Sequence, residues 1–165
     1  MALEALDHAD AADAADALAD LDASAYRPFN FVVADNRDAF WIALRPEASA
    51  VAVEKLPPGL SMITAHDRND DASLRQRKWR PAFETAPRPK PGDGVDGWSG
   101  WTALLTGGKD PDAPAKAAML VDAEDDFGTV SSALIALPAP ELERPPVFLF
   151  ADGPPDSASF NPVGE

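Results

Sequence analysis

Residues 29–45, FNFVVADNRDAFWIALR, set two runs rich in aromatic and β-branched side chains on either side of four polar residues. Runs of that composition, joined by so short a polar link, read as two strands of an antiparallel hairpin. AVAVEKL at 50–56 alternates in the same way and supplies a third strand. Pro57, Pro58 and Gly59 then break the chain, and LSMIT at 60–64 can form a fourth short strand. The expectation is a meander of antiparallel strands. It follows a helix, because residues 2–22 are rich in Ala, Leu and Asp and hold no Gly or Pro. Helical spacing gathers Leu3, Leu6, Ala14, Ala17, Leu18 and Leu21 on one face, with Asp7 and Asp10 intruding on it. Asp10, Asp13 and Asp16 recur at a period of three, and carboxylates alone in that spacing read as a solvated rim rather than a metal array.

Downstream, SLRQRKWRPAF predicts a short basic helix with Ser73 as its N-cap and Pro81 at its end. Residues 85–97 and 107–117 are Pro/Gly-rich and read as surface loops, and WSGWTALL between them as a short helix burying Trp98 and Trp101. FGTVSSALIALP and PVFLFADG predict a final pair of strands, with the polar, Pro-rich end of the chain lying along the surface. In the first of these strands Thr129 and Ser131 open one face before it turns apolar, so its start is expected to border a cleft. A single domain over residues 1–165 is the default for this length.

Composition narrows the function. With 14 basic against 28 acidic side chains the net charge is −14, which repels phosphate backbones and anionic head groups, so neither nucleic acid nor a membrane surface is expected as a partner. No apolar run approaches the roughly 20 residues of a membrane span, and the N-terminus lacks the basic and apolar regions of a secretory signal. The expected location is therefore cytoplasmic. With no cysteine, the chain has no disulfide, thiolate metal ligand or cysteine nucleophile of its own.

The remaining motifs are weak. Gly92, Gly94 and Gly97 match G-x-G-x-x-G but follow PRPKP instead of a strand. Residues 67–78 begin like a calcium loop, yet Ala72 and Lys78 replace its glycine and closing glutamate. His66 beside Asp67 can be read as a proton-transfer pair or as a loop histidine capping backbone groups. Arg75, in a basic cluster with Arg77, Lys78 and Arg80, can hold an anion or serve internal ion pairs. The serines of GTVSS lack the G-x-S-x-G elbow of a nucleophile. No catalytic or metal site is expected, and His66, Arg75, Thr129 and Ser131 are the candidate ligand-binding residues.

In that order, YRPFNFVVADNRDAFWIAL, LPPGLSMITAHD, SLRQRKWRPAF and FGTVSSALIALP resemble the NRDE family, also called the transport and Golgi organisation protein 2 family. The resemblance covers nearly the whole chain, with Val130 standing where arginine is common. It implies an α+β fold like the N-terminal-nucleophile hydrolases, a sandwich of antiparallel sheets flanked by helices. It also implies a cysteine directly after the initiator methionine, where this chain has Ala2. The DNRD of the hairpin is not the family's own Asn-Arg-Asp-Glu motif, which lies near its N-terminus. On this resemblance the chain corresponds to the C-terminal two-thirds of such a protein, truncated before its nucleophile and left with strand edges prone to self-association.

Three functions compete at this point. The first is a catalytically silent NRDE-type scaffold with a small-ligand cleft, for which the resemblance implies haem or lipid-like metabolites, His66 being the better imidazole for axial ligation. The second is a truncated copy of an N-terminal-nucleophile amide-bond hydrolase. The third is an acidic interaction module acting through residues 2–22.

Overall fold

The hairpin forms as its alternation requires. In the computed structural model, which describes residues 2–107, 117–121 and 127–164, β1 (Phe29–Ala34) pairs antiparallel with β2 (Ala39–Leu44), from Phe29↔Leu44 to Ala34↔Ala39. β3 (Ala52–Lys55) joins the far side of β2, so the order is β1-β2-β3. Asp35 closes the β1–β2 turn. Its Oδ1 accepts the N–H groups of Arg37 at 2.7 Å and Asp38 at 2.8 Å, the self-bonding that suits aspartate to turns. Its Oδ2 accepts the N–H of Ala11 at 2.9 Å, tying the turn to the first residue of α2 (Ala11–Ala19).

The expected helix over 2–22 is broken. α1 spans Ala2–Ala5, and the chain re-enters helix at Ala11 because Asp10 adopts an extended conformation and caps α2, accepting the Asp13 N–H at 2.9 Å. Aspartate competes for backbone donors in this way, which favours a cap over a helix interior. The break changes the packing face: Leu3 and Leu6 are 80% and 79% exposed, while Ala11, Ala14, Ala15 and Leu18 are buried. Phe31, Val33, Phe40 and Ile42 pack with Ala14, Ala15 and Leu18. Leu18 and Ile42 are fully buried, and each contributes about 1.5–3 kcal/mol by that burial.

Residues 60–64 form no strand, contrary to expectation. Asparagine side chains take the place of a neighbouring strand. Asn69 accepts the Met62 N–H on Oδ1 at 2.8 Å and donates its own N–H to the Met62 carbonyl at 2.9 Å. Asn30 donates to the Thr64 carbonyl at 2.8 Å and accepts from the Trp41 indole at 2.9 Å. Asn69 lies at φ 55°, in the left-handed region that asparagine tolerates better than most residues.

The described residues divide into two compact units, one running to Asn69 and taking in Ala139–Leu142, the other holding the rest. The division falls at Asn69/Asp70, just before the next helix and well upstream of the Pro/Gly-rich stretch. In the second unit α3 (Leu74–Thr85) starts at Ser73 as predicted, the Ser73 hydroxyl accepting the Gln76 N–H at 3.3 Å. Pro81 does not end it. Proline removes only its own N–H from the ladder, and the later donors continue, as in Ala86 N–H to the Ala82 carbonyl at 2.9 Å.

Part of the predicted loop at 85–97 is ordered. Residues Pro91–Trp98 make tight 3-10 turns with Gly94 at φ 64°, and Lys90 N–H donates to the Gly97 carbonyl at 2.9 Å to close the loop. A side chain at Gly97 would run into the Lys90 carbonyl. α4 (Ser99–Leu105) follows, with Trp98 buried and Trp101 half-buried. Of the loop predicted at 107–117, residues 108–116 lie outside the described residues.

The final strands are three, not two. β4 is Ser132–Ala136, β5 is Val147–Ala151, and Asn161–Pro162 in the expected surface tail adds β6, giving the antiparallel order β4-β5-β6. Trp98, Leu134 and Leu149 form the core of this unit, with Leu105, Ala136, Val147 and Phe160 packed against them. The fold is thus α+β, with four α-helices and two three-stranded antiparallel sheets among the described residues and no closed barrel.

Candidate functional site

The four residues singled out from the sequence have distinct surroundings. His66, in the first unit, is exposed; its N–H donates to the Thr64 hydroxyl at 3.2 Å and its carbonyl accepts from Asn30 at 3.3 Å. The adjacent Asp67 carboxylate is taken by Arg45, whose Nε and second guanidinium nitrogen each lie 2.8 Å from Oδ2. Arg45 also sits over the Trp41 ring, 5.4 Å from its centroid. Asp67 therefore serves an arginine.

Arg75, Thr129 and Ser131 belong to the second unit. Arg75 Nε donates to the Ala118 carbonyl at 2.6 Å, and one turn later the Trp79 indole donates to the Ala117 carbonyl at 2.7 Å. Residues four apart share a helix face, so α3 grips consecutive carbonyls with both. Thr129 acts on the same segment, its N–H donating to the Val121 carbonyl at 2.9 Å and its hydroxyl accepting the Val121 N–H at 3.0 Å. The Gly107 carbonyl accepts from Met119 and Leu120, both at 3.2 Å. A side chain at Gly107 would overlap the Trp79 indole. Arg75 and Thr129 are thereby brought to one segment, 117–121, where both bond to backbone. Ser131 is exposed and precedes β4, so the strand alternation read from Thr129 begins only at Ser132.

None of the four lines the groove described in the second unit. That groove is open, has a volume of about 390 Å³, and is lined by Val95, Ser99, Thr102, Ala103, Thr106, Pro155, Ala158, Ser159 and Phe160. Helical spacing explains its first wall: residues 99, 102, 103 and 106 recur at three- and four-residue steps along one side of α4 and its C-cap. The second wall is the chain leading into β6, folded back by bonds from the Ser157 and Ala158 N–H groups to the Pro154 carbonyl at 3.1 and 2.9 Å. Ser99, Ala103, Ala158 and Ser159 put small side chains on both walls, beside the larger Val95, Pro155 and Phe160.

The groove's chemistry is neutral. No lining residue is charged. The Thr102 hydroxyl bonds to the Trp98 and Ser99 carbonyls at 3.3 and 3.2 Å, and the Thr106 hydroxyl to the Ala103 carbonyl at 2.9 Å. Donors satisfied by the helix leave hydroxyl oxygens as acceptors toward a ligand. In the same unit, Trp98 and Trp101 meet edge to face at 6.5 Å, and Trp101 meets Phe83 at 5.4 Å. The indole N–H groups of Trp98 and Trp101 are buried without a hydrogen-bond partner among the described residues, at a typical cost of about 1–3 kcal/mol for such a group.

The Ser99, Thr102, Ala103, Thr106 stripe is visible in the sequence as small residues at helical spacing. The opposite wall is not, because nothing in the sequence shows that residues 155–160, far along the chain, fold beside α4. Among the described residues no three His, Asp or Glu side chains converge to hold a metal ion, and no helix is long and apolar enough to cross a membrane. Comparison with protein-family models, with curated proteins and with solved structures gives no match.

Proposed function

We propose that this chain is a non-catalytic scaffold of the NRDE type that binds an uncharged, lipid-like small molecule in the groove between α4 and residues 155–160. The observation that carries the reading is the groove's lining, apolar and hydroxyl side chains without a charge. An apolar pocket with a few placed polar groups is the usual form of a small-molecule site. A carboxylate or phosphate ligand would find no cation there, whereas an acyl chain with a hydroxyl or ester head finds both of its halves matched. Support for the NRDE-type scaffold comes from the sequence segments that carry the resemblance, which fall on the β1–β2 hairpin, the turn after β3, α3 and β4. The sandwich of the N-terminal-nucleophile hydrolases belongs to the same proposal.

Haem, the other ligand that the resemblance implies, does not fit this groove as an iron-ligated group. Its lining contains no His, Met, Cys or Tyr, and His66 is not part of it. Amide-bond hydrolysis of the family's kind needs a cysteine that this chain does not supply.

Titration with the neutral fluorophore Nile red tests the proposal. Saturable binding is expected, abolished by Ala103→Trp, which fills the groove, and competed by a short-chain monoacylglycerol but not by the matching fatty acid. Binding that survives Ala103→Trp, or that the fatty acid displaces equally well, would overturn it.

A further inference from the structure

The second sheet ends in an unusual edge. β4 has β5 on one side and, among the described residues, no strand on the other. Edge strands are normally blunted by lysine, proline or an inward charge. β3, an edge of the first sheet, follows this rule with Glu54 and Lys55. β4 does not: residues 127–140 contain no charged side chain, and the first proline after the strand is Pro138. β6, at the other end of the second sheet, is only two residues long and holds Pro162.

The ladder shows which backbone groups face outward. Val163 N–H donates to the Phe148 carbonyl at 2.9 Å, so the N–H and C=O of Phe148 point toward β6. In an antiparallel ladder successive residues alternate sides, so Val147, Leu149 and Ala151 point toward β4, opposite Ala136, Leu134 and Ser132. The N–H and C=O groups of Ala133 and Ile135 therefore point away from β5, to the open edge. The face beside that edge is apolar as well: Ile135 is 57% and its cross-strand partner Phe148 40% exposed, with Leu137 at 43%.

We propose that two copies of this chain pair through the open edge of β4, antiparallel about a two-fold axis, joining their second sheets into one. A second copy suits this edge for two reasons. An antiparallel edge is self-complementary, each outward N–H meeting an outward C=O of the same strand in the other copy. Two chains of net charge −14 also repel across most of their surfaces, and an uncharged stretch lets them approach without opposing like charges directly. Pairing places the apolar side chains of Ile135 and Ala133 from both copies side by side.

Light scattering coupled to size exclusion across a concentration series, with amide hydrogen exchange read by NMR, tests this. The mass should rise from one chain to two with concentration. Exchange at Ala133 and Ile135 should slow in step, while Leu134 and Ala136, bonded to β5, stay protected throughout. Ile135→Lys and Ala133→Pro should each return the mass to one chain. The proline substitution removes only an outward N–H, which an edge strand tolerates, and the exchange measurement needs no variant. A single-chain mass at every concentration, a dimer that both variants leave intact, or a dimer whose Ala133 and Ile135 amides do not slow would each overturn the proposal.

Discussion

Asp35 accepts three backbone hydrogen bonds on one carboxylate, from Ala11, Asp38 and Arg37, and these hold its pKa below the ordinary carboxylate value. The same bonds join the hairpin turn to the start of α2, so one side chain sets both local geometry and the packing of helix on sheet. The sign of the pH effect follows from the lowered pKa. A carboxylate stabilised in the folded state contributes fully above its unfolded pKa, and the contribution disappears as pH falls through the lower folded value. Asp35→Ala is therefore expected to cost about 1 kcal/mol near neutral pH, as loss of a capping carboxylate does. The gap between wild type and variant in thermal melting should close as pH is lowered below the ordinary aspartate range; a gap independent of pH would contradict this. The residue's part in the turn was legible from DNRD, but its bond to Ala11 was not, since nothing local marks a contact 24 residues away.

At the scale of elements, periodicity identified what was dictated locally and missed what side chains supplied from a distance. β1, β2, β3 and β5 lie within the stretches their alternation marked, and Ser73 caps α3. LSMIT has strand composition, yet Asn30 and Asn69 satisfy its backbone from outside. The helix over 2–22 breaks at Asp10 because an aspartate that can cap one helix interrupts another. Pro81 is the opposite case, a residue that ordinarily stops a helix and here sits in the interior of α3. It removes one ladder bond, and its side is exposed to solvent. Pro81→Ala should restore that bond and raise stability by about 1–3 kcal/mol, somewhat less than the full proline penalty because alanine also frees the unfolded chain. A melting temperature that stays level or falls would show that α3 is distorted at Pro81 in a way alanine does not relieve.

For the whole molecule, the candidate ligand residues read from the sequence and the groove that the fold creates do not coincide. Arg75 and Thr129 were marked by charge and by position at the mouth of a strand, but both bond to the backbone of residues 117–121. The groove needs two distant stretches, α4 and the fold-back before β6, and only the α4 stripe has a period that a sequence displays. The net charge of −14 bears on the molecule in another way, setting the uncharged groove and the uncharged β4 edge apart from an acidic background. The claim that this groove is where a neutral amphiphile binds is tested most directly by amide chemical-shift mapping during titration with a short-chain monoacylglycerol. Saturable shifts concentrated at Ser99–Thr106 and Ala158–Phe160 are expected; shifts absent there, or confined to the turn around His66, would rule the groove out as the binding site.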